Sequence, residues 1–529
     1  MQISDQPKHN SNASGINAVA DSLFETLALR FPVCMASDEF HYYPQATIMD
    51  KDWSRWDDFS PESIADISVK LSEYKLKLDQ FVSSELTFDE QVDISLLNRM
   101  INTIIEQLNE VQPHKTHPSF YLTIIGTGLV EAVEAGTQAL NDRLKGLLGF
   151  IQHARQNLEK VHDIFKNQGC EMIDHLSAWI RTLPVPRTVT APVIHSLERF
   201  NSHLMNLTPS DEFLVSKDLY EQIASRHMGC FMPLCEIERQ IDNEISETTS
   251  VVEIYASEIF PEISWQKNIA DLNFTLPHRR SVKQVYQACV SELANHCIQK
   301  GIVAPEVVKN CLVHVETVPV YMHPVRSNAA YSMPPGHPPQ GGTFFIIESE
   351  NNTTVASDYK LLTAHETYPG HHLLDTSRWC LKKIIRRHIE FPVFYEGWAC
   401  ISEELLFDTG FFHNSFDRML SAKRRLWRAV RGKMDLEIHT RKKSLKEAAV
   451  FLSDYGMAYT KASELVRKYI LKPGYQLSYA IGRYYFANIY ESFVRHGGSP
   501  ENFVCRVLSH GEVGFDHLSQ FLSQEDVRE

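Results

Sequence analysis

The sequence predicts a mainly α-helical body carrying one small β-sheet, and three observations support this. Apolar residues recur three and four positions apart over long stretches, helix-start signals appear repeatedly, and β-branched and aromatic residues concentrate in a single region, 312–350. The chain of 529 residues is long enough to bury a large core. Its hydrophobic content of 43% and charged content of 22% are those of an ordinary globular protein.

Taken in order, residues 1–20 are polar and are expected to be disordered. Ser60-Pro61 then places a capping hydroxyl and a proline at the head of a helix, and Thr87 with Glu90 reads as a capping box. Helical periodicity follows over 92–110, 128–168, 212–226, 238–258 and 281–299. We therefore group 21–310 as a helical N-terminal part, forming one wall of a groove, and 311–529 as the part that carries the chemistry.

The β-rich region comes next. VHVETVPVYM and GGTFFIIESE flank the turn-forming PPGHPPQGG, which predicts a small sheet. GGTFFII is expected to be an edge strand on which an extended peptide can lie. Beyond it, helices are predicted over 413–440, 445–470 and 476–496, the second opened by a capping box at Ser444 and Glu447.

Charge and composition exclude several functions. A net charge of −14 disfavours nucleic acid or an anionic membrane as partner, since both require a basic face. No window approaches the roughly 18–20 apolar residues of a membrane span. The N-terminal segment lacks a basic stretch followed by an apolar run, and the 10 cysteines show no C-x-x-C pairing. A cytoplasmic protein with reduced thiols is the expectation.

The chemistry is expected at HETYPGHH, residues 365–372. In H-E-x-x-H two histidines one turn apart face one zinc ion, and the glutamate between them activates water. Here the fifth position is Pro369. On a straight helix His372 would lie about 10.5 Å along the axis from His365, too far to share an ion. Pro369 cannot donate to the carbonyl of His365, and Gly370 permits unusual backbone angles, so a bulge is expected between Tyr368 and His371. Such a bulge returns His371 to the His365 face, with Glu366 directed at the water.

Glu396, in FPVFYEGWACISEELL, follows His371 by 25 residues, opens another helix and completes a His-His-Glu set. Glu403 and Glu404 lie too far along to join it; they either orient ligands or are solvated. Tyr475 and Tyr479 are alternative donors to a developing oxyanion. Arg424, Arg428, Arg431, Asp435 and His439 form a polar stripe, read first as a solvated face and second as an anchor for a substrate carboxylate. Arg483 is a further candidate anchor.

HETYPGHH, YEGWA, PGYQLSYAIGR and WDDFSPESI together resemble the bacterial family known as domain of unknown function number 885, across most of the chain. That family is presumed to consist of zinc metallopeptidases distantly similar to thimet oligopeptidase and Taq-type carboxypeptidases. The resemblance implies a gluzincin-like helical fold with His365, His371 and Glu396 as zinc ligands and Glu366 as the base. His372 stays a rival ligand, because the family motif ends in two histidines.

The expected function is zinc-dependent hydrolysis of peptide or related amide bonds, with Glu366 and Tyr479 as catalytic residues. Two alternatives compete: a specialised small-molecule amide or ester hydrolase or rearrangement enzyme, and a non-catalytic binding protein on a degenerate peptidase scaffold.

Overall fold

Hydroxyl side chains start several long helices at the predicted positions. The computed structural model describes residues 6–47, 50–82, 85–262, 264–268, 272–276, 280–318, 329–347 and 353–525. Ser60 accepts the N–H of Ser63 at the head of Pro61–Leu78. Thr87 with Glu90, and Ser444 with Glu447, form reciprocal capping boxes.

The fold is mainly α-helical with two small sheets among the described residues, and it divides into two compact units. One comprises Met1–Phe213, Val318–Ser327 and Lys383–Ile389; the other comprises Leu214–Thr317, Asn328–Lys382 and Glu390–Glu529. The main division thus falls at residue 213, not at 310. The reason is packing: helix Leu234–Ile259 runs along helix Ser415–His439, burying Ile237, Ile241 and Val252 on one stripe, and Val282–Gln299 packs on Tyr359–Glu366.

In the first unit, the segment expected to be disordered carries helix Gln6–Arg30. Ile16, Ala20, Leu23, Phe24 and Leu27 are buried at helical spacing, a stripe that the polar residues between them obscure. The single helix predicted over 128–168 is three: Pro118–Ala135, Thr137–Asn157 and Asp163–Ile180. Gly136, at a φ of 110°, makes the first break. Similarly, 445–470 is divided into Leu445–Asp454 and Tyr459–Tyr469, with Gly456 between them in the left-handed region.

In the second unit the strands are β1 (Asn273–Thr275), β2 (Val313–Thr317), β3 (Ala330–Ser332), β4 (Gly342–Ile346) and β5 (Thr354–Ala356). A three-stranded sheet has the order β2-β4-β3, with β4 parallel to β2 and antiparallel to β3. GGTFFII therefore supplies the central strand rather than an edge. Both flanks of β4 are hydrogen-bonded, and Phe344 faces Val315 on one side and Tyr331 on the other. The predicted continuation of the first strand beyond residue 318 lies outside the described residues. β1 and β5 form a separate antiparallel pair that the sequence pattern did not suggest.

Candidate metal centre

The helix Tyr359–Glu366 stops after Glu366, and a second helix, His371–Cys380, starts at His371. Across the break the Gly370 N–H donates to Ala364 O at 3.1 Å and the Leu373 N–H to Thr367 O at 3.3 Å. Each bond spans six residues where an α-helix spans four, so two residues are looped out and His371 takes the place of the missing fifth-position histidine. A Cβ on Gly370 would stand 1.9 Å from His365 O, so no other residue fits this close approach. The rings of His365 and His371 come within 4.7 Å, centre to centre.

Glu396 approaches from helix Pro392–Asp408. That helix begins four residues earlier than the sequence suggested, with Pro392 at its first position, which places Glu396 in the second turn. Its Oε2 lies 3.4 Å from His365 Nε2 and 3.6 Å from His371 Nε2. Donor atoms of the three buried residues all fall within 4.8 Å of one another. Ligands about 2.1 Å from a tetrahedral ion stand roughly 3.4 Å apart, so this spacing suits a small metal ion. Among the described residues, Glu396 Oε2 is buried with no hydrogen-bond partner, whereas Oε1 accepts from the Tyr475 hydroxyl at 2.6 Å. Burial opposes ionisation of Glu396, yet His365 and His371 hold its carboxyl well below the usual range.

Behind His365 stands Glu403, seven residues beyond Glu396 and thus on the same helix face. Its Oε1 lies 3.0 Å from His365 Nδ1. Arg428 donates to that oxygen at 2.5 Å, and Arg424 Nε donates to Oε2 at 3.1 Å. Burial would protonate Glu403, but the two guanidinium groups keep its carboxyl well below the ordinary range. His365 Nδ1 thus meets both the Glu403 carboxylate and, at 3.1 Å, Arg428 Nη2; with its proton on Nδ1 and donated to Glu403, the ring's lone pair is on Nε2, facing Glu396. Of the two roles open to Glu403, it takes the orienting one; Glu404 turns away to Arg483, at 2.5 and 2.8 Å. Sequence reasoning missed Tyr395, whose ring stacks on His371 at 4.0 Å while its hydroxyl donates to Asp375. The only local hint was its place in the YEGWA block.

Glu366 is the last residue of its helix and is buried; burial lifts its carboxyl to about 7, with His371 opposing and Glu396 adding to the rise. His372 does not join the cluster. Its Nδ1 is 2.7 Å from the Tyr331 hydroxyl, and its Nε2 is 3.2 Å from Cys311 O and 3.1 Å from the Tyr368 hydroxyl. Tyr475 is bound to Glu396, whereas the Tyr479 ring lies 6.5 Å from that of His365, nearly parallel to it. The polar stripe expected to face solvent is instead largely interior: Arg428, Asp435 and His439 are buried. Asp435 accepts the N–H groups of Gly474 and Gln476 and the Tyr220 hydroxyl, pinning the turn that precedes Leu477–Arg495.

Residues 45–522 match the model of the family described as bacterial protein of unknown function (DUF885). The chain belongs to this family. Two solved structures share the DUF885 chain's fold. One, from Colwellia psychrerythraea, aligns with a TM-score of 0.76 at 16% identity over 98% of this chain and 99% of its own. Another, of unknown function from Shewanella oneidensis, aligns with a TM-score of 0.72 at 14% identity over 96% of this chain and 99% of its own. Both bear the name "putative lipoprotein". No curated protein matches this DUF885 chain. Among the described residues, no helix is long and apolar enough to cross a membrane.

Proposed function

We propose that this DUF885 protein is a zinc-dependent hydrolase of peptide or related amide bonds, built on a gluzincin-like helical body. One observation carries the reading: the buried Oε2 of Glu396, which has no hydrogen-bond partner among the described residues, faces the Nε2 atoms of His365 and His371 at the spacing of a tetrahedral ligand set. Two neutral imidazoles and one carboxylate are donors that suit zinc. Zinc, when bound there, supplies Lewis acidity that acidifies water and polarises a carbonyl.

The chain's own residues do the rest. Glu366 takes a proton from the attacking water and delivers it to the leaving nitrogen as the C–O bond forms and the C–N bond breaks. Its carboxyl, pushed up by burial, is suited to exchanging a proton near neutral pH. Both Tyr475 and Tyr479 have hydroxyls against Glu396; Tyr479, whose ring also lies beside that of His365, is the hydroxyl that we assign to donate to the carbonyl oxygen as charge builds there. Glu403, held by Arg424 and Arg428, fixes the His365 ring. The substrate is a peptide or small amide, with no role for nucleic acid or membrane. All 10 cysteines are free thiols, which supports a reducing, cytoplasmic setting.

Turnover of a mixed peptide library, measured beside zinc content, tests the assignment. Glu366→Gln is expected to keep its zinc and lose hydrolysis by about 10³-fold or more, and Tyr479→Phe to lower the chemical rate ~100-fold at unchanged affinity. Loss of zinc from Glu366→Gln would make that residue a ligand, and a near-normal rate in Tyr479→Phe would remove it from the reaction.

A further inference from the structure

Three arginines near the candidate centre are committed to carboxylates. Arg424 serves Glu403 and Asp358, Arg428 serves Glu403, and Arg483 serves Glu404 and Glu244. Arg431, one turn beyond Arg428 on the same helix, differs: it forms no ion pair among the described residues, and its buried Nε has no hydrogen-bond partner. The nearest carboxylate along the helix, Asp435, is already taken by Gly474, Gln476 and Tyr220. The Arg431 guanidinium lies instead over the Tyr479 ring, 4.9 Å from its centre. A half-buried guanidinium with unused, fixed donors is an anion site waiting for a partner from outside the chain.

Its position says which anion. The contacts from Arg431 to Tyr479, 4.9 Å, and from Tyr479 to His365, 6.5 Å, run in series, so the guanidinium lies no farther from the His365 ring than the two combined. An extended chain advances about 3.3–3.6 Å per residue. After allowance for the ion-pair contact, that upper limit leaves room for no more than about two residues. Lys472 holds a second cation over Tyr475, 5.7 Å from the ring centre, and Tyr475 is itself bonded to Glu396.

We propose that Arg431 anchors the free carboxylate of the substrate, so that the protein acts on peptides or acyl amino acids whose C-terminus lies one or two residues beyond the scissile amide. Water adds across that amide, releasing the C-terminal amino acid or dipeptide with a new amino group and leaving a carboxylate on the shortened acyl part. The cleavage rests on the metallohydrolase reading above. The anchor rests on Arg431.

The test measures binding as well as turnover. Glu366→Gln protein, with and without added zinc, is equilibrated with N-acetyl tripeptides of randomised side chains, prepared as free acids and as C-terminal amides, and the retained fraction is read by mass spectrometry. The free acids are expected to bind at least tenfold more tightly. Adding Arg431→Gln, which keeps the stem over Tyr479, or Arg431→Ala is expected to erase that preference while zinc content and melting temperature hold. Equal retention of acids and amides, or a preference that survives both substitutions, overturns the anchor. An Arg431-dependent preference in a protein whose wild type neither binds zinc nor cleaves would leave the anchor standing and remove the hydrolase reading. Cleavage of acids and amides alike would do the reverse.

Discussion

Gly397 and Gly482 meet where the helices Pro392–Asp408 and Leu477–Arg495 cross: a Cβ on Gly397 would stand 2.6 Å from Gly482 Cα, and one on Gly482 would stand 2.1 Å from Val393 O. This approach brings the Tyr475 hydroxyl to Glu396 and the Tyr479 ring to His365. Gly482→Ala must push the helices apart, and we expect a loss of about 1–3 kcal/mol together with weaker zinc binding. Gly149→Ala, in helix Thr137–Asn157 with nothing within 4 Å of the new methyl, is the control and should be neutral or stabilising by up to about 1 kcal/mol. Thermal unfolding and a zinc titration of both variants check this; equal behaviour would contradict the close-packing account.

Glu403 touches no proposed substrate, yet it lies 3.0 Å from His365 Nδ1, where a carboxylate favours a proton on that nitrogen and a lone pair on Nε2. Glu403→Gln replaces the carboxylate that accepts from Nδ1 and leaves Arg424 and Arg428 without their shared anion. Zinc affinity should fall roughly 10–100-fold. A competition titration with a chelator measures it, and an unchanged dissociation constant would show that Glu403 only ties helices together.

His114, in the first unit, is buried and stacks on Phe59. Burial, aided by the Lys115 charge, lowers its pKa from the ordinary 6.5 to about 4. The unfolded chain therefore takes up a proton at higher pH than the folded one. The stability contribution is complete above about pH 6.5 and disappears as pH falls through about 4, a change of roughly 3 kcal/mol. The stability difference between wild type and His114→Phe, followed by urea unfolding from pH 7 to pH 4, should move by that order. A pH-independent difference would mean that His114 titrates alike in both states.

Much of this was legible in the sequence. The capping boxes at Thr87 and Ser444 announce themselves within four residues, and reading Pro369-Gly370 as an insertion placed His371 beside His365. What the sequence withheld depends on distant partners. That His371 faces His365 while His372 turns away was not legible locally, since the partner of His372 Nδ1 is Tyr331, 41 residues upstream on β3. Whether GGTFFII is central or at an edge depends on strands on both sides, since one strand's own pattern is the same in either place. The helices at 128–168 are divided by Gly136, which periodicity averages over. That Arg431 has no ion-pair partner among the described residues becomes visible only once Arg424, Arg428 and Arg483 have found their carboxylates.

On the proposed reading, His365, His371 and Glu396 hold one zinc ion while His372 does not. Elemental analysis of the purified protein and of His365→Ala, His371→Ala, Glu396→Ala and His372→Ala, beside a folding check, decides between the four candidate ligands. About one zinc per chain is expected in wild type, retained in His372→Ala and lost in the other three at intact helical content. Wild-type protein that binds no zinc, or a His371→Ala variant that keeps it while His372→Ala does not, would overturn this ligand set.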